Sequence, residues 1–133
     1  MDLVPCRLSH ILVDEQSDKH VIFLLEENGS RRVPILIGAL EATAIGRAVK
    51  GEQFSRPLTH DLLVNLIDAT GCSLTSVRVT DLRDGTYYAE LVLLSASNQE
   101  LVIDCRPSDA VAILARLPGT PLRVADHVLE DAD

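Results

Sequence analysis

The sequence predicts a single α+β domain, in which a mostly antiparallel or mixed sheet system packs against about three helices. Short apolar runs alternate with turn signals such as Asn28-Gly29 and Asp84-Gly85, a pattern typical of antiparallel strands. Three longer segments instead repeat their apolar residues at helical spacing. The chain has 133 residues, which is the size of one domain, so residues 1–133 are taken as one unit.

Three strands are predicted in the first third of the chain, at residues 3–13, 19–26 and 32–37. The Asn28-Gly29 pair predicts a turn between the second and the third of them, with the third returning antiparallel. Pro34 has no N–H to donate to a strand ladder. The third strand is therefore predicted to lie at a sheet edge or to be irregular.

Helices are predicted at about residues 39–50, 59–70 and 107–117, and Gly51 and Gly71 stand where the first two would end. Further strands are predicted at residues 73–82, 86–94, 100–105 and 121–124. Asp126 is expected to cap a last helical turn or two. The acidic residues 130–133 are expected to be frayed and solvated.

The composition excludes several classes of protein. Twelve basic against 20 acidic residues give a net charge of -8, which argues against nucleic-acid binding by bulk electrostatics, because such binding depends on Lys and Arg. Aromatic residues make up 3% of the chain, too few for a broad base-stacking surface. Three cysteines without a Cys-x-x-Cys pair, and a start that lacks the features of a signal peptide, predict a reducing cytoplasm.

Two segments place Arg-Pro, a hydroxyl residue and an aspartate at predicted helix starts. They are residues 56–61 (Arg-Pro-Leu-Thr-His-Asp) and residues 106–109 (Arg-Pro-Ser-Asp). In a structural interpretation, Thr59 and Ser108 are helix N-caps and the aspartates favour the helix dipole. In a functional interpretation, the free N–H groups of each helix start and the neighbouring arginine bind a phosphate. Capping needs no arginine, so the two arginines favour the anion site, and both interpretations remain open.

His60, in the first of these segments, is the histidine best placed to act. A histidine at a helix start serves as a general base or a metal ligand, and an exposed residue of the first turn is the alternative. His10 and His20 are expected at exposed strand positions, and His127 is expected to be solvated near the acidic end.

Four carboxylates near predicted strand-to-helix junctions form a candidate cation site: Glu41, Asp61, Asp104 and Asp109. If the junctions lie on one side of the sheet, these groups converge. Convergent carboxylate oxygens, completed by water and substrate phosphate, are what Mg²⁺ or Mn²⁺ needs. A divalent cation would also allow an acidic protein to hold a polyanion.

The motifs together resemble the bifunctional nuclease domain family over about residues 8–129. The segments that carry the resemblance are residues 34–38, 41–42, 56–62, 84–89 and 103–110. Membership implies activity on both DNA and RNA, that is, hydrolysis of phosphodiester bonds. Within the motifs, chemistry suggests catalytic roles for His60, Asp61 and Asp109. Phosphate binding is assigned to Arg56, Thr59, Arg106 and Ser108, and cation binding to Asp61, Asp104, Asp109 and Glu41.

A second function stays open beside the nuclease. In it the domain is a non-catalytic module for binding an anion or a partner, or for assembly, and the Arg-Pro motifs only lock helix junctions through Arg–Asp pairs. The net charge of -8 and the few aromatic residues favour this alternative. For either function, the apolar content and irregular edge strands predict a homodimer or other homo-oligomer.

Overall fold

The computed structural model describes residues 1–14 and 16–132, which form one α+β domain with seven strands and four helices. In chain order the elements are β1 (Leu3–Asp14), β2 (Lys19–Glu26), β3 (Arg32–Ile37), α1 (Ala39–Val49), α2 (Thr59–Ala69), β4 (Ser73–Arg83), β5 (Thr86–Leu94), β6 (Glu100–Cys105), α3 (Pro107–Arg116), β7 (Leu122–Ala125) and α4 (Asp126–Ala132). The predicted fold class is confirmed, and each predicted helix and strand is present within one or two residues of its expected bounds.

The strands form one mixed sheet in the order β3-β2-β1-β7-β4-β5-β6. Neighbouring strands are antiparallel except β4 and β7, which are parallel. Two meanders, β1–β3 and β4–β6, therefore lie on either side of β7. The prediction from Pro34 is confirmed, because β3 lies at one edge of the sheet, where a missing backbone donor is tolerated.

All four helices lie against one face of the sheet. Alternate strand residues on that face, such as Leu24 on β2, Val77 on β4 and Val124 on β7, are buried in one core with Ile45 of α1 and Ile113 of α3. Helix α2 contributes partly buried residues and α4 contributes Val128 and Leu129. The strand residues that alternate with these core residues point to the opposite face, where most are exposed or half-buried but Ser76, Val92 and Ala125 are buried.

Two expectations about individual residues were wrong. His20 is buried rather than exposed, because its register opposite Val13 and Ile37 places it on the core face beside Ile22. Residues 130–132 continue α4 instead of fraying, because the buried Val128 and Leu129 anchor that helix, whereas Asp133 lies outside the described residues. His10 and His127 are exposed as expected. No helix in the described ranges is long and apolar enough to cross a membrane.

Candidate functional site

The first three helices each carry an acidic residue at the third helical position: Glu41 in α1, Asp61 in α2 and Asp109 in α3. A carboxylate there lies close to the positive end of the helix dipole and to free backbone N–H groups. In α2, Asp61 Oδ2 accepts a hydrogen bond from the Leu58 backbone N–H at 2.9 Å. In α1, a Cβ on Gly38 would lie 2.5 Å from Glu41 Oε2, so a larger residue at that position would displace the carboxylate.

The predicted caps were wrong in detail. The N-cap residues are Leu58 for α2 and Arg106 for α3, so that Thr59 occupies the first helical position and Ser108 the second. The carboxylate of the third position takes over the capping role in α2, which frees Thr59 from it. Ser108 is buried and faces a shallow pocket beside β3 rather than the site described below.

The two Arg-Pro segments are not equivalent in space. Arg106 is the N-cap of its helix and Pro107 takes the first helical position, which suits proline. Pro57 instead precedes the N-cap of α2, so Arg56 lies one residue further out in the loop. Arg56 is exposed, and within the described ranges its side chain makes no ion pair. The structure therefore does not bring Arg56 together with Arg106.

Four side chains from three helices meet at these helix starts, and we call them the junction cluster: Glu41, His60, Arg106 and Asp109. Arg106 donates through Nε and Nη2 to both oxygens of Asp109, at 2.9 and 3.0 Å, and through Nη1 to Glu41 Oε1 at 2.8 Å. His60 Nε2 lies 3.0 Å from Asp109 Oδ1. The cluster thus links α1, α2 and α3 at a point where 63% of the Arg106 side chain is still exposed.

Hydrogen bonds within the cluster favour the ionised forms of its two carboxylates and of Arg106. Burial raises the pKa of Asp109, but hydrogen bonds from Arg106 and His60 lower it by more, so the pKa lies below its usual value. The pKa of Glu41 is lowered by its own backbone N–H and by Arg106, and the two carboxylates raise the pKa of Arg106. Ionised Asp109 has no proton to give, so His60 must donate from Nε2 in their hydrogen bond. In the neutral imidazole, Nδ1 is then the nitrogen with the lone pair.

A groove of about 990 Å³ runs between the helices and the β5–β6 end of the sheet, and the junction cluster contributes to its lining. Thr59 borders it as well. Most of the remaining wall is aliphatic: Leu40, Leu63, Leu66, Ile67, Leu91, Leu93 and Ile103. No motif predicted this groove, because its walls come from five elements, α1, α2, β5, β6 and α3, that are spread along the chain.

The four predicted cation ligands do not converge. Asp104 borders the groove at the edge strand β6, but its register opposite Glu90 places it on the other face of the sheet from Ile103 and Cys105. Asp61 turns toward a second pocket. In the ranges the structure describes, no group of three or more His, Cys, Asp or Glu side chains is placed to hold a metal ion. The donor set therefore does not fit a preformed cation site.

Arg116 is a residue that the sequence did not single out. Its side chain is only 9% exposed, and Nε donates to Asp61 Oδ1 at 2.7 Å. Nη1 donates to the carbonyls of Ala44 at 3.3 Å and Ala112 at 2.8 Å. The backbone N–H of Leu58, and then Arg116, lower the pKa of Asp61. From the sequence alone, Arg116 looks like an ordinary basic residue in the last turn of a helix.

Comparison with known proteins identifies the family of the chain. The model of the bifunctional nuclease domain matches residues 22–133. The chain belongs to the bifunctional nuclease domain family. An uncharacterized protein of Mycobacterium tuberculosis is 43% identical over 126 residues, which cover 95% of this chain and 74% of that protein.

Plant members of the family are more distant. Bifunctional nuclease 1 of Oryza sativa subsp. indica is 27% identical over 105 residues, which cover 77% of this chain and 32% of the plant protein. Bifunctional nuclease 2 of Arabidopsis thaliana is 26% identical over 110 residues, which cover 81% of this chain and 33% of the plant protein. The family resemblance expected from the motifs is confirmed. The part shared with the plant proteins is about a third of their length.

Proposed function

We propose that this protein hydrolyses phosphodiester bonds of DNA or RNA at the junction cluster, with His60 as the general base. The observation that carries the proposal is the 3.0 Å hydrogen bond between His60 Nε2 and Asp109 Oδ1 beside an exposed arginine in a groove. An oriented imidazole with a free lone pair next to a guanidinium is a usual arrangement for proton transfer near a phosphate.

His60 moves the proton in this mechanism. A water molecule gives a proton to His60 Nδ1 while its oxygen forms the new bond to phosphorus. The bond from phosphorus to the leaving oxygen then breaks, and the imidazolium returns the proton to that oxygen. The products are a phosphomonoester and an alcohol, so one water is consumed and no charge is left over. Asp109 keeps the proton on Nε2 and stabilises the imidazolium.

Arg106 binds the phosphate in this scheme. A guanidinium has five N–H donors, and Arg106 uses three of them for Asp109 and Glu41. One donor on each terminal nitrogen remains for phosphoryl oxygens, where charge grows in the transition state. Glu41 holds the guanidinium in place. No comparable support exists for Arg56 or Ser108, which do not line the groove.

The divalent cation remains a prediction. The oxygens of Asp109 and Glu41 accept hydrogen bonds from Arg106, and Asp61 accepts one from Arg116. None of the steps above therefore uses a cation. Activity measured with Mg²⁺, with Mn²⁺ and with chelator tests this prediction separately from the role of His60.

The test is cleavage of single-stranded DNA and RNA by the purified protein. We expect His60→Ala to lower the rate by about 10² to 10⁴-fold, the usual contribution of a general base. His127→Ala, an exposed histidine hydrogen-bonded to Asp81, is the matched control and should keep full activity. Thermal melts of both variants separate loss of chemistry from loss of fold. Equal activity in wild type and well-folded His60→Ala would refute the mechanism.

A non-catalytic binding or assembly module is the second candidate function. It is supported by the way Arg106 and Arg116 use three acidic groups to hold helices together, and by the aliphatic groove walls. In that case no variant or cation would produce cleavage, and His60→Ala would change only the melting temperature. Self-association is likewise a proposal, supported by exposed Leu36 on edge strand β3 and exposed Val102 on edge strand β6.

A further inference from the structure

The sheet face that carries no helix also carries a row of arginines. Leu25 on β2 pairs with Arg7 on β1 and with Arg32 on β3. Arg123 on β7 pairs with Arg78 on β4. Side chains in register share a face of the sheet, and β1 and β7 are neighbouring strands. The row therefore crosses five strands, from β3 through β2, β1 and β7 to β4. We call Arg7, Arg32, Arg78 and Arg123 the arginine stripe, and it spans about 19 Å at about 4.8 Å per strand.

The strand alternation fixes the face of the stripe. Arg7 follows buried Cys6, Arg32 precedes buried Val33, and Arg78 lies between buried Val77 and Val79. Arg123 lies between buried Leu122 and Val124. Each arginine therefore points away from the core, and thus away from all four helices and the junction cluster.

The stripe holds charge that the protein does not neutralise. In residues 1–14 and 16–132, Arg7, Arg32 and Arg123 form no ion pair, and Arg78 has a single contact, 3.3 Å to Glu90. Other arginines, such as Arg31, are fully engaged with carboxylates. In a chain with a net charge of -8, free arginines gathered on one face are unexpected.

Repulsion within the stripe also points to an anionic ligand. Arg78 and Arg123 are directly paired across two strands, and like charges opposite each other destabilise a sheet. The Nε of Arg78 is buried and lacks a hydrogen-bond partner among the described residues. A phosphate between the two guanidinium groups would relieve the repulsion and accept hydrogen bonds from their terminal N–H groups.

An aromatic surface lies at one end of the stripe. Phe23 shares the face with Arg32, whose guanidinium carbon lies 5.1 Å from the ring centroid. His10 stacks on Phe23 with 4.6 Å between ring centroids and 20° between planes. Flat rings beside arginines are the elements with which proteins hold unpaired bases.

We propose that the arginine stripe binds the sugar-phosphate backbone of single-stranded nucleic acid, and that one base stacks on the His10 ring, which Phe23 supports from its other face. The inference deepens the proposed function and rests on it in one respect: the bound strand is the polymer that the junction cluster would cleave. Recruitment on a separate basic face explains how an acidic domain holds a polyanion without a cation. The acidic end of the same face, at Glu90 and Asp104, makes a second copy of the chain the competing occupant.

The test is equilibrium binding of a labelled, cleavage-resistant phosphorothioate strand of about 16 nucleotides. Four phosphate contacts, each contributing about 0.7 to the slope, predict a slope near −2.8 for log Kobs against log salt concentration. The binding constant should then be about 50-fold lower at 200 mM salt than at 50 mM. In the double variant Arg7→Ala/Arg123→Ala the slope should fall to about −1.4, or about 7-fold. Phe23→Leu should weaken binding by a factor of about 5 to 150.

Two controls make the result specific. Lys50→Ala removes an exposed cation at the end of α1, on the helix side, and should leave the slope unchanged. Hydrolysis of bis-p-nitrophenyl phosphate, which is too small to need the stripe, should be the same in the double variant and wild type. Circular dichroism confirms that the double variant is folded.

The outcomes separate the two proposals. An unchanged slope in the folded double variant would overturn the stripe while leaving the hydrolytic mechanism intact. Stripe-dependent binding without cleavage of unmodified DNA or RNA by the wild type would support the stripe and remove the proposed function. A change from dimer to monomer in the double variant, measured by light scattering without any loss of strand binding, would assign the face to self-association and overturn the inference.

Discussion

Replacing Arg116 with alanine tests whether the helix layer depends on this one buried guanidinium. The change removes the 2.7 Å contact to Asp61 and the hydrogen bonds to the carbonyls of Ala44 and Ala112. Breaking a fully buried pair costs about 3–5 kcal/mol. Asp61 remains 36% exposed and regains water, so the charge contribution is smaller here. With the lost hydrogen bonds included, we expect the free energy of unfolding to fall by about 2–4 kcal/mol.

The assay is urea and thermal unfolding of the wild type and the variant. For a domain of 133 residues, 2–4 kcal/mol corresponds to a fall in Tm of about 6–12 °C. Arg47→Ala is the matched control, since the Arg47 guanidinium lies 5.1 Å from the Phe54 ring centroid and forms no ion pair among the described residues, and we expect a loss of about 1 kcal/mol or less. A double-mutant cycle with Asp61→Asn isolates the ion pair. A loss below about 0.5 kcal/mol for Arg116→Ala would refute the reasoning.

Two further predictions concern ionisation. The pKa values of Glu41, Asp61 and Asp109 are all below their usual range, so the unfolded state takes up protons first as the pH falls. Their contribution to the free energy of unfolding is complete above pH of about 4 to 5 and is lost as the pH falls through the lowered values. Denaturant titrations at several pH values should show this loss in the wild type. In Asp61→Asn the free energy of unfolding should fall less steeply with decreasing pH, and equal slopes in the two proteins would contradict the prediction. Burial, and then Asp109 and Asp104, raise the pKa of Cys105 to about 12. At pH 8 we expect its alkylation by iodoacetamide, followed by mass spectrometry, to be on the order of 10³-fold slower than in urea, and equal rates would refute the shift.

Local signals in the sequence were sufficient to predict the helices and strands and the edge position of β3. Asp84 and Gly85 form a turn with positive φ as expected, Gly51 and Gly71 end their helices with positive φ, and Pro34 lies on an edge strand. These features depend on residues close in the chain. The motifs singled out His60, Arg106 and Asp109 as candidate site residues but did not show whether the two segments meet, and the structure places the three side chains in contact.

Features set by strand register could not be predicted. The position of Asp104 on the far face depends on its pairing with Glu90, and the buried position of His20 depends on pairing with Val13 and Ile37. A bulge between Leu8 and His10 shifts the alternation of β1 partway along the strand. Because one residue of shift moves a side chain to the other face, periodicity alone did not show the arginine stripe.

The central place of β7 has a consequence for synthesis of the chain. Residues 122–125 are made late, yet they are the only backbone that joins the β1–β3 meander to the β4–β6 meander in the described sheet. Until β7 leaves the ribosome, β1 and β4 each keep an open edge of unpaired N–H and C=O groups. We therefore expect a nascent chain without β7 to depend on chaperones, and the completed domain to fold slowly, since its last step closes contacts across more than a hundred residues.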